Sequence, residues 1–189
     1  MNRLANLMTY VLYTNNLNGA ICEFGVNRGG SLNFIRSCNT NVNRKIYGVD
    51  SFEGLPLSED YEFHKKGEMR AEYEPVAKHF GQFENVTLYK GFSPGVFSNF
   101  PADIEFSFCH VDVDLYSSVT DACEFFWPRM EKDGVIIFDD YNWPKTTGAT
   151  KAVHAFFDAL DVQYKGELFW PYHKINGTKT TQFQYMVVK

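Results

Sequence analysis

Two acidic clusters close two apolar runs. His110-Val111-Asp112-Val113-Asp114 ends the run that begins at Ile104, and Asp139-Asp140 ends Val135-Ile136-Ile137-Phe138. Along an extended chain side chains alternate between faces, so His110, Asp112 and Asp114 fall on one face. Neighbouring strands would then bring four carboxylates to one sheet edge. Two bare charges ~4 Å apart repel by about 4 kcal/mol at an effective dielectric near 20. Such a cluster calls for a cation or for retained protons. Oxygen donors alone favour a hard ion, Mg²⁺ or Ca²⁺, with Mn²⁺ also suited. The plainer alternative is that Asp139 and Asp140 cap a turn while Asp112 and Asp114 stay solvated. An Asp pair directly after a buried strand sits where α/β sites form, which favours the metal. His110, a lone histidine inside an apolar strand, is expected to be a hydrogen-bonded core residue.

A second constellation lies earlier. The run Glu23-Phe24-Gly25-Val26-Asn27-Arg28-Gly29-Gly30-Ser31 places glycines between a strand and a helix, where a missing Cβ lets the backbone approach a ligand. Its spacing, Gly-x-x-x-Gly-Gly, is not the G-x-G-x-x-G of a dinucleotide binder. Asp50 closes the next strand, 20 residues after Gly30. A carboxylate there can accept both hydroxyls of a ribose. Each signal alone also suits a tight turn or a cap, but together they favour a nucleoside at the carboxyl ends of the first strands.

Those residues need elements to hold them. Leu4, Leu7, Met8, Val11 and Leu12 recur at helical spacing and predict a short N-terminal helix, stopped by Asn15 to Gly19. Strands are expected over 20–26, 45–50, 86–90, 104–111 and 135–138. Helices are expected from Gly29-Gly30-Ser31 onward and over 75–83, 117–130 and 149–160. Two β-rich runs, 162–170 and 180–188, flank the tight-turn dipeptide Asn176-Gly177 and should meet antiparallel. Alternation of this kind requires an α/β, doubly wound, Rossmann-like parallel sheet. The polar, charged segment 58–74, with His64-Lys65-Lys66, reads as a solvated loop or a lid.

Composition bounds the rest. At 189 residues, 44% hydrophobic and 22% charged, the chain supports one domain with a real core over 1–189. Its net charge of −5 removes a binder that works by neutralising nucleic-acid phosphates. Cys22, Cys38, Cys109 and Cys123 lack metal or redox spacing and read as reduced. With no signal segment and no membrane-length apolar run, the expectation is a cytoplasmic protein without a membrane partner. Asn85-Val86-Thr87 and Asn176-Gly177-Thr178 are then incidental glycosylation triplets. Aromatics make up 17%. Core packing should take most of them, with an oligomer interface as the other use.

The ordered series 23–31, Tyr-Gly-Val-Asp-Ser-Phe-Glu-Gly-Leu-Pro (47–56), Lys-Gly-Phe-Ser (90–93), His-Val-Asp-Val-Asp-Leu-Tyr (110–116), Asp-Asp-Tyr (139–141) and Gly-Ala-Thr-Lys-Ala-Val (148–153) resembles the macrocin O-methyltransferase family, the TylF/MycF/NovP type. The resemblance implies a class I methyltransferase fold, a seven-stranded, mostly parallel sheet with an antiparallel C-terminal strand. It implies Mg²⁺-dependent methyl transfer from S-adenosylmethionine (SAM) to a hydroxyl of a sugar or other vicinal-diol molecule. By the same resemblance Glu23, Gly25, Gly29, Gly30 and Ser31 lie against the methionine part of SAM, and Asp50 holds the ribose with Ser51 beside it. Gly91, Phe92 and Ser93 lie near the adenine. Asp112, which also belongs with the cofactor set, joins Asp139 and Asp140 as metal ligands, and Asp114 is the general base.

The rivals explain less. A nicotinamide oxidoreductase predicts the absent G-x-G-x-x-G turn. A metal-dependent glycosyltransferase would use Asp112-x-Asp114 but leaves Asp50 unexplained. A SAM- or nucleoside-binding module without turnover is the non-enzymatic rival. Family members usually carry a longer helical region before the first strand. Here the acceptor cover is expected from the segment 58–74, the first helix or a partner subunit, with a homodimer as the expected assembly.

Overall fold

The computed structural model describes residues 2–168 and 184–189, with the backbone of 174–175 and 178–179. Its strands are β1 (Ala20–Phe24), β2 (Ile46–Asp50), β3 (Val86–Lys90), β4 (Phe106–Val111), β5 (Met130–Phe138), β6 (Tyr164–Glu167), β7 (Lys174–Ile175), β8 (Thr178–Lys179) and β9 (Tyr185–Val188). The α-helices are α1 (Asn2–Tyr13), α2 (Gly30–Cys38), α3 (Tyr73–Phe80), α4 (Tyr116–Arg129) and α5 (Thr147–Phe157). Seven strands form one sheet in the order β3-β2-β1-β4-β5-β9-β6. The first five pair in parallel, and β9 runs antiparallel between β5 and β6. The expected seven-stranded methyltransferase sheet is borne out. β7 and β8 pair antiparallel apart from it, and the Asn176-Gly177 turn lies outside the described residues.

The central strands are apolar throughout because both faces are covered. On one face Leu7 and Val11 of α1, Leu32 and Ile35 of α2, and Val76 and Phe80 of α3 pack on Ile21, Ile46, Phe108, Val135 and Ile137. On the other, α4 and α5 cover Cys22, Val49, Cys109, Val111, Ile136 and Phe138. A ring cluster of Phe97, Phe100, Phe106, Phe125 and Phe126 accounts for much of the aromatic content. Cys22, Cys109 and Cys123 are buried and free. Among the described residues no helix is long and apolar enough to cross a membrane.

Several boundaries differ from the sequence expectation. Strand β5 starts at Met130, directly after α4, and includes the Lys132-Asp133-Gly134 stretch that reads as a helix stop. Pairing explains it: Asp133 N–H donates to Lys189 O, and Lys189 N–H donates to Gly134 O. Helix α3 begins two residues before Pro75, because first-turn N–H groups lack helical partners and a proline there forfeits no bond. Only Leu7 and Val11 of the N-terminal apolar set are buried, whereas Leu4, Met8 and Leu12 face solvent.

At the amino end of the sheet, Arg44 is fully buried. Its guanidinium donates to Ser107 Oγ, to Thr14 Oγ1 at 3.2 Å, to Asn39 Oδ1 at 3.3 Å and to Gly19 O at 3.4 Å. Burial lowers its pKa to about 10, against the pull of Glu131. This network ties α1's end, β2 and β4 together at the edge opposite the acidic clusters.

Candidate active site

The carboxyl ends of β1, β4 and β5 are pinned by one further rung of backbone bonding. Asp112 N–H donates to Phe24 O and Asp139 N–H to Val111 O, each at 2.8 Å. Strand β4 ends at Val111, so the extended run to Asp114 read from the sequence is corrected. The chain instead turns sharply: Leu115 N–H donates to Val113 O at 2.6 Å, and Asp114 takes a left-handed φ of 59°. Asp140 is left-handed too, at 57°. Left-handed non-glycine residues carry strain that the surroundings must over-determine, and they gather at functional sites. The carboxylates still converge. One oxygen from each of Asp112, Asp114 and Asp140 lies within 4.8 Å of the others, and His110, Asp112 and Asp139 form a second such group.

Beneath them runs a charged network. His110 is buried in β4, with Nδ1 2.8 Å from Glu23 Oε1 and Nε2 3.3 Å from Asp139 Oδ2. Burial alone would lower its pKa, but the bonds to Asp139 and Glu23 outweigh that and raise it to about 10. Arg3, from the first turn of α1, closes the network from above. Its Nε donates to Asp139 Oδ2 at 2.8 Å and its Nη2 meets the same oxygen. The guanidinium also lies 3.6 Å from Asp112 and 3.8 Å from Asp140. Burial disfavours the ionised Asp139, yet His110 and Arg3 together hold its pKa below the usual range. Asp112 goes the other way, pushed well up by burial and by the charges of Asp139 and Asp140. Asp114 rises to about 7 through burial and Asp140.

A cavity of about 490 Å³ opens over this edge, within the range of small-ligand sites. Of the residues expected to bind SAM, Gly25, Asp50, Ser51, Gly91, Phe92, Ser93 and Asp112 line it, and Asp114 and Asp140 stand on the same wall. Asp50 is held between two loops: Oδ2 accepts Asn27 N–H and Oδ1 accepts Phe52 N–H, each at 2.7 Å. Each oxygen retains a lone pair for a ribose hydroxyl. Gly25 has φ 101°, and a Cβ there would sit 1.8 Å from Asp112 O, so the turn demands glycine.

Other expected residues are placed differently. Glu23 faces His110 under the sheet edge and does not line the cavity. Gly29 caps α2 in a left-handed conformation, where a Cβ would meet the Phe80 ring at 2.7 Å. It serves packing, and Gly30 and Ser31 stand away from the cavity with it. Asp139 lies below the wall, under Arg3.

The segment 58–74 is docked as a cover. Buried Glu62 accepts Tyr116 N–H at 2.7 Å, capping α4, and Glu59 N–H at 2.9 Å. An acid there complements the positive end of the helix. Asn27 Nδ2 donates to Met69 O at 2.7 Å, and His64 and Met69 reach the cavity wall. Sequence reasoning missed Arg3, Glu62, Ser118, Trp143 and Lys145. No spacing signals them, since Arg3 meets a partner 136 positions away and Glu62 one 54 away.

The residues fit both groups that the fold family implies. Carboxylate oxygens crowded beside a cavity are a hard-cation donor set. The cavity that Asp50 overlooks has room for a nucleoside-sized ligand. Comparisons with known proteins point to a methyltransferase. Residues 1–165 match the model of the family described as Macrocin-O-methyltransferase (TylF). The 8-demethyl-8-(2,3-dimethoxy-alpha-L-rhamnosyl)-tetracenomycin-C 4'-O-methyltransferase of Streptomyces olivaceus is 29% identical over 94% of this chain and 71% of its own length. The demethyldecarbamoylnovobiocin O-methyltransferase of Streptomyces niveus is 28% identical over 85% of this chain and 68% of its own. Among solved structures, NovP aligns with a TM-score of 0.74 at 22% identity, over 99% of this chain and 79% of that one. The calicheamicin methyltransferase CalS11 aligns with a TM-score of 0.76 at 20% identity, over 100% and 79%.

Proposed function

The chain belongs to the macrocin O-methyltransferase family and is a SAM-dependent O-methyltransferase, and from that premise we propose that it methylates a hydroxyl of a sugar or another vicinal-diol small molecule with the help of Mg²⁺. The observation that carries the proposal is the convergence of acidic groups about Asp112, with Asp114 and Asp140 in one set and with His110 and Asp139 in another, each within 4.8 Å, beside a cavity that Asp50 also lines. The sugar part draws on a relative whose name carries a dimethoxy-rhamnosyl group. SAM supplies the methyl group on a sulfonium. Mg²⁺, when bound, supplies Lewis acidity that lowers the pKa of an alcohol and orients it.

The chain's own residues do the rest. Asp50 accepts the ribose hydroxyls, while the Gly25 turn lets the backbone come close to the cofactor. Asp112, Asp139 and Asp140 would hold the metal, and His110, itself anchored by Glu23, fixes the orientation of Asp139. Asp114 takes the acceptor's proton on a carboxylate oxygen. Its burial favours the protonated form, so a proton taken there can be held until it is released to solvent. The covering segment adds His64 and Met69 to the cavity wall, and holding the reactants together contributes to the rate.

Methyl transfer from labelled SAM to a panel of rhamnosides, other glycosides and catechols, run with Mg²⁺ and with a chelator, tests the proposal. Labelled glycoside or diol products that vanish with the chelator are expected. Transfer that persists in the chelator removes the metal from the mechanism, and transfer only to isolated hydroxyls removes the vicinal diol.

A further inference from the structure

Asp139 Oδ2 is already crowded. It faces Arg3 Nε at 2.8 Å, Arg3 Nη2 and His110 Nε2 at 3.3 Å, whereas a carboxylate oxygen has two lone pairs in its plane. The same guanidinium reaches Asp112 at 3.6 Å and Asp140 at 3.8 Å. Arg3 therefore touches all three carboxylates assigned to the metal. Asp139 keeps Oδ1 for an ion, but a dication seated among the three carboxylates would lie against the guanidinium that spans them, so one of the two neighbouring cations must yield. His110 is buried inside β4 and tied to Glu23 at its other nitrogen, so it cannot leave. Arg3 can: its side chain is 49% exposed and it sits in the first turn of α1, followed by the exposed Leu4. The helix is anchored further along, by Leu7 and Val11 in the core and by Asn6 Nδ2 donating to Gln184 Oε1 at 2.7 Å.

We propose that Arg3 is a placeholder cation, a positioning residue that holds Asp112, Asp139 and Asp140 together before the metal arrives and is displaced by it, releasing the first turn of α1 from the cavity wall. Metal occupancy is then coupled to the shape of the cavity, because Arg3 lines it. This inference rests on the metal reading of the site.

Mn²⁺ serves as the probe, on the full chain. Calorimetric titration should show Arg3→Gln binding Mn²⁺ about tenfold tighter than the parent, as expected when one competing contact of ordinary strength is removed. In chelator the same variant should melt earlier, and Mn²⁺ should restore it more than it raises the parent. Hydrogen exchange of residues 6–8, whose N–H groups bond back to the first turn of α1, should speed up in the unmutated protein on Mn²⁺ addition, a readout that stands even if the variant folds poorly. Mn²⁺ binding with unchanged affinity in Arg3→Gln, or with exchange at 6–8 unaltered, overturns the placeholder role and leaves the metal centre in place. Failure of both proteins to bind Mn²⁺ overturns the metal centre, and the placeholder with it.

Discussion

Asp139 and Asp114 are separated by their surroundings more than by their chemistry. Asp139 sits between two cations and stays ionised, whereas Asp114 shares its corner with Asp140 and is pushed to about 7. An ionised Asp139 is ready for a cation, whereas Asp112, also assigned to the metal, must first give up its proton. Asp139→Asn should therefore abolish metal-dependent turnover while calorimetry still finds SAM binding nearly intact. Loss of both together would instead mean that the sheet edge had collapsed. The raised pKa of Asp114 also has a sign for stability. Its folded value lies above the ordinary 3.8, so the folded state holds the extra proton between the two values. Stability is present at low pH and lost as pH rises from about 4 to about 7. Asp112 adds to the same trend. The metal-free protein should accordingly melt earlier at pH 8 than at pH 6. Asp114→Asn should recover about 5 °C at pH 8 and much less at pH 5, read by thermal melts in chelator. An equal gain at both pH values would deny the raised pKa.

At the scale of elements, a strand tip, a turn or a helix start places each chemical group. Helix α4 is a case in point: its N-terminus is capped by Glu62 from the covering segment, so the cover and the Asp114 turn share one anchor. Glu62→Ala should cost about 1 kcal/mol, the usual worth of a cap. It should also speed tryptic cleavage after Lys65 and Lys66, followed by mass spectrometry; an unchanged cleavage rate would show that the cover is held elsewhere. The elements themselves were largely legible in the sequence. Val-Ile-Ile-Phe before Asp139-Asp140 announced a buried parallel strand, and the glycine turn announced the first strand-to-helix junction. Boundaries such as Met130 and Tyr73 were not legible, because pairing with Lys189 and first-turn tolerance of proline override local composition. The acidic cluster was read correctly as a convergence but by the wrong route, through an extended strand where the chain makes a tight turn. Arg3 and Glu62 were invisible because long-range contacts leave no periodicity.

Over the whole molecule, chemistry and cohesion occupy opposite ends of the sheet. The carboxyl edge gathers strained turns and like charges, and the amino edge is locked by Arg44. Arg44→Met strands Gly19 O and the hydroxyls of Thr14 and Ser107 without their charged donor. It should cost about 3 kcal/mol, measured by urea unfolding. SAM affinity of the folded protein should stay unchanged, and a weakened affinity would mean that the two edges communicate. The sheet order carries one more consequence. Among the described residues strand β6 pairs only with β9, which is made later and lies between it and β5. On the ribosome the five parallel strands can assemble as they emerge, but Tyr164–Glu167 has no neighbour to join until Tyr185–Val188 has left the exit tunnel. An unfinished chain thus displays the open edge of β5, a stage at which a holdase chaperone would find its binding surface.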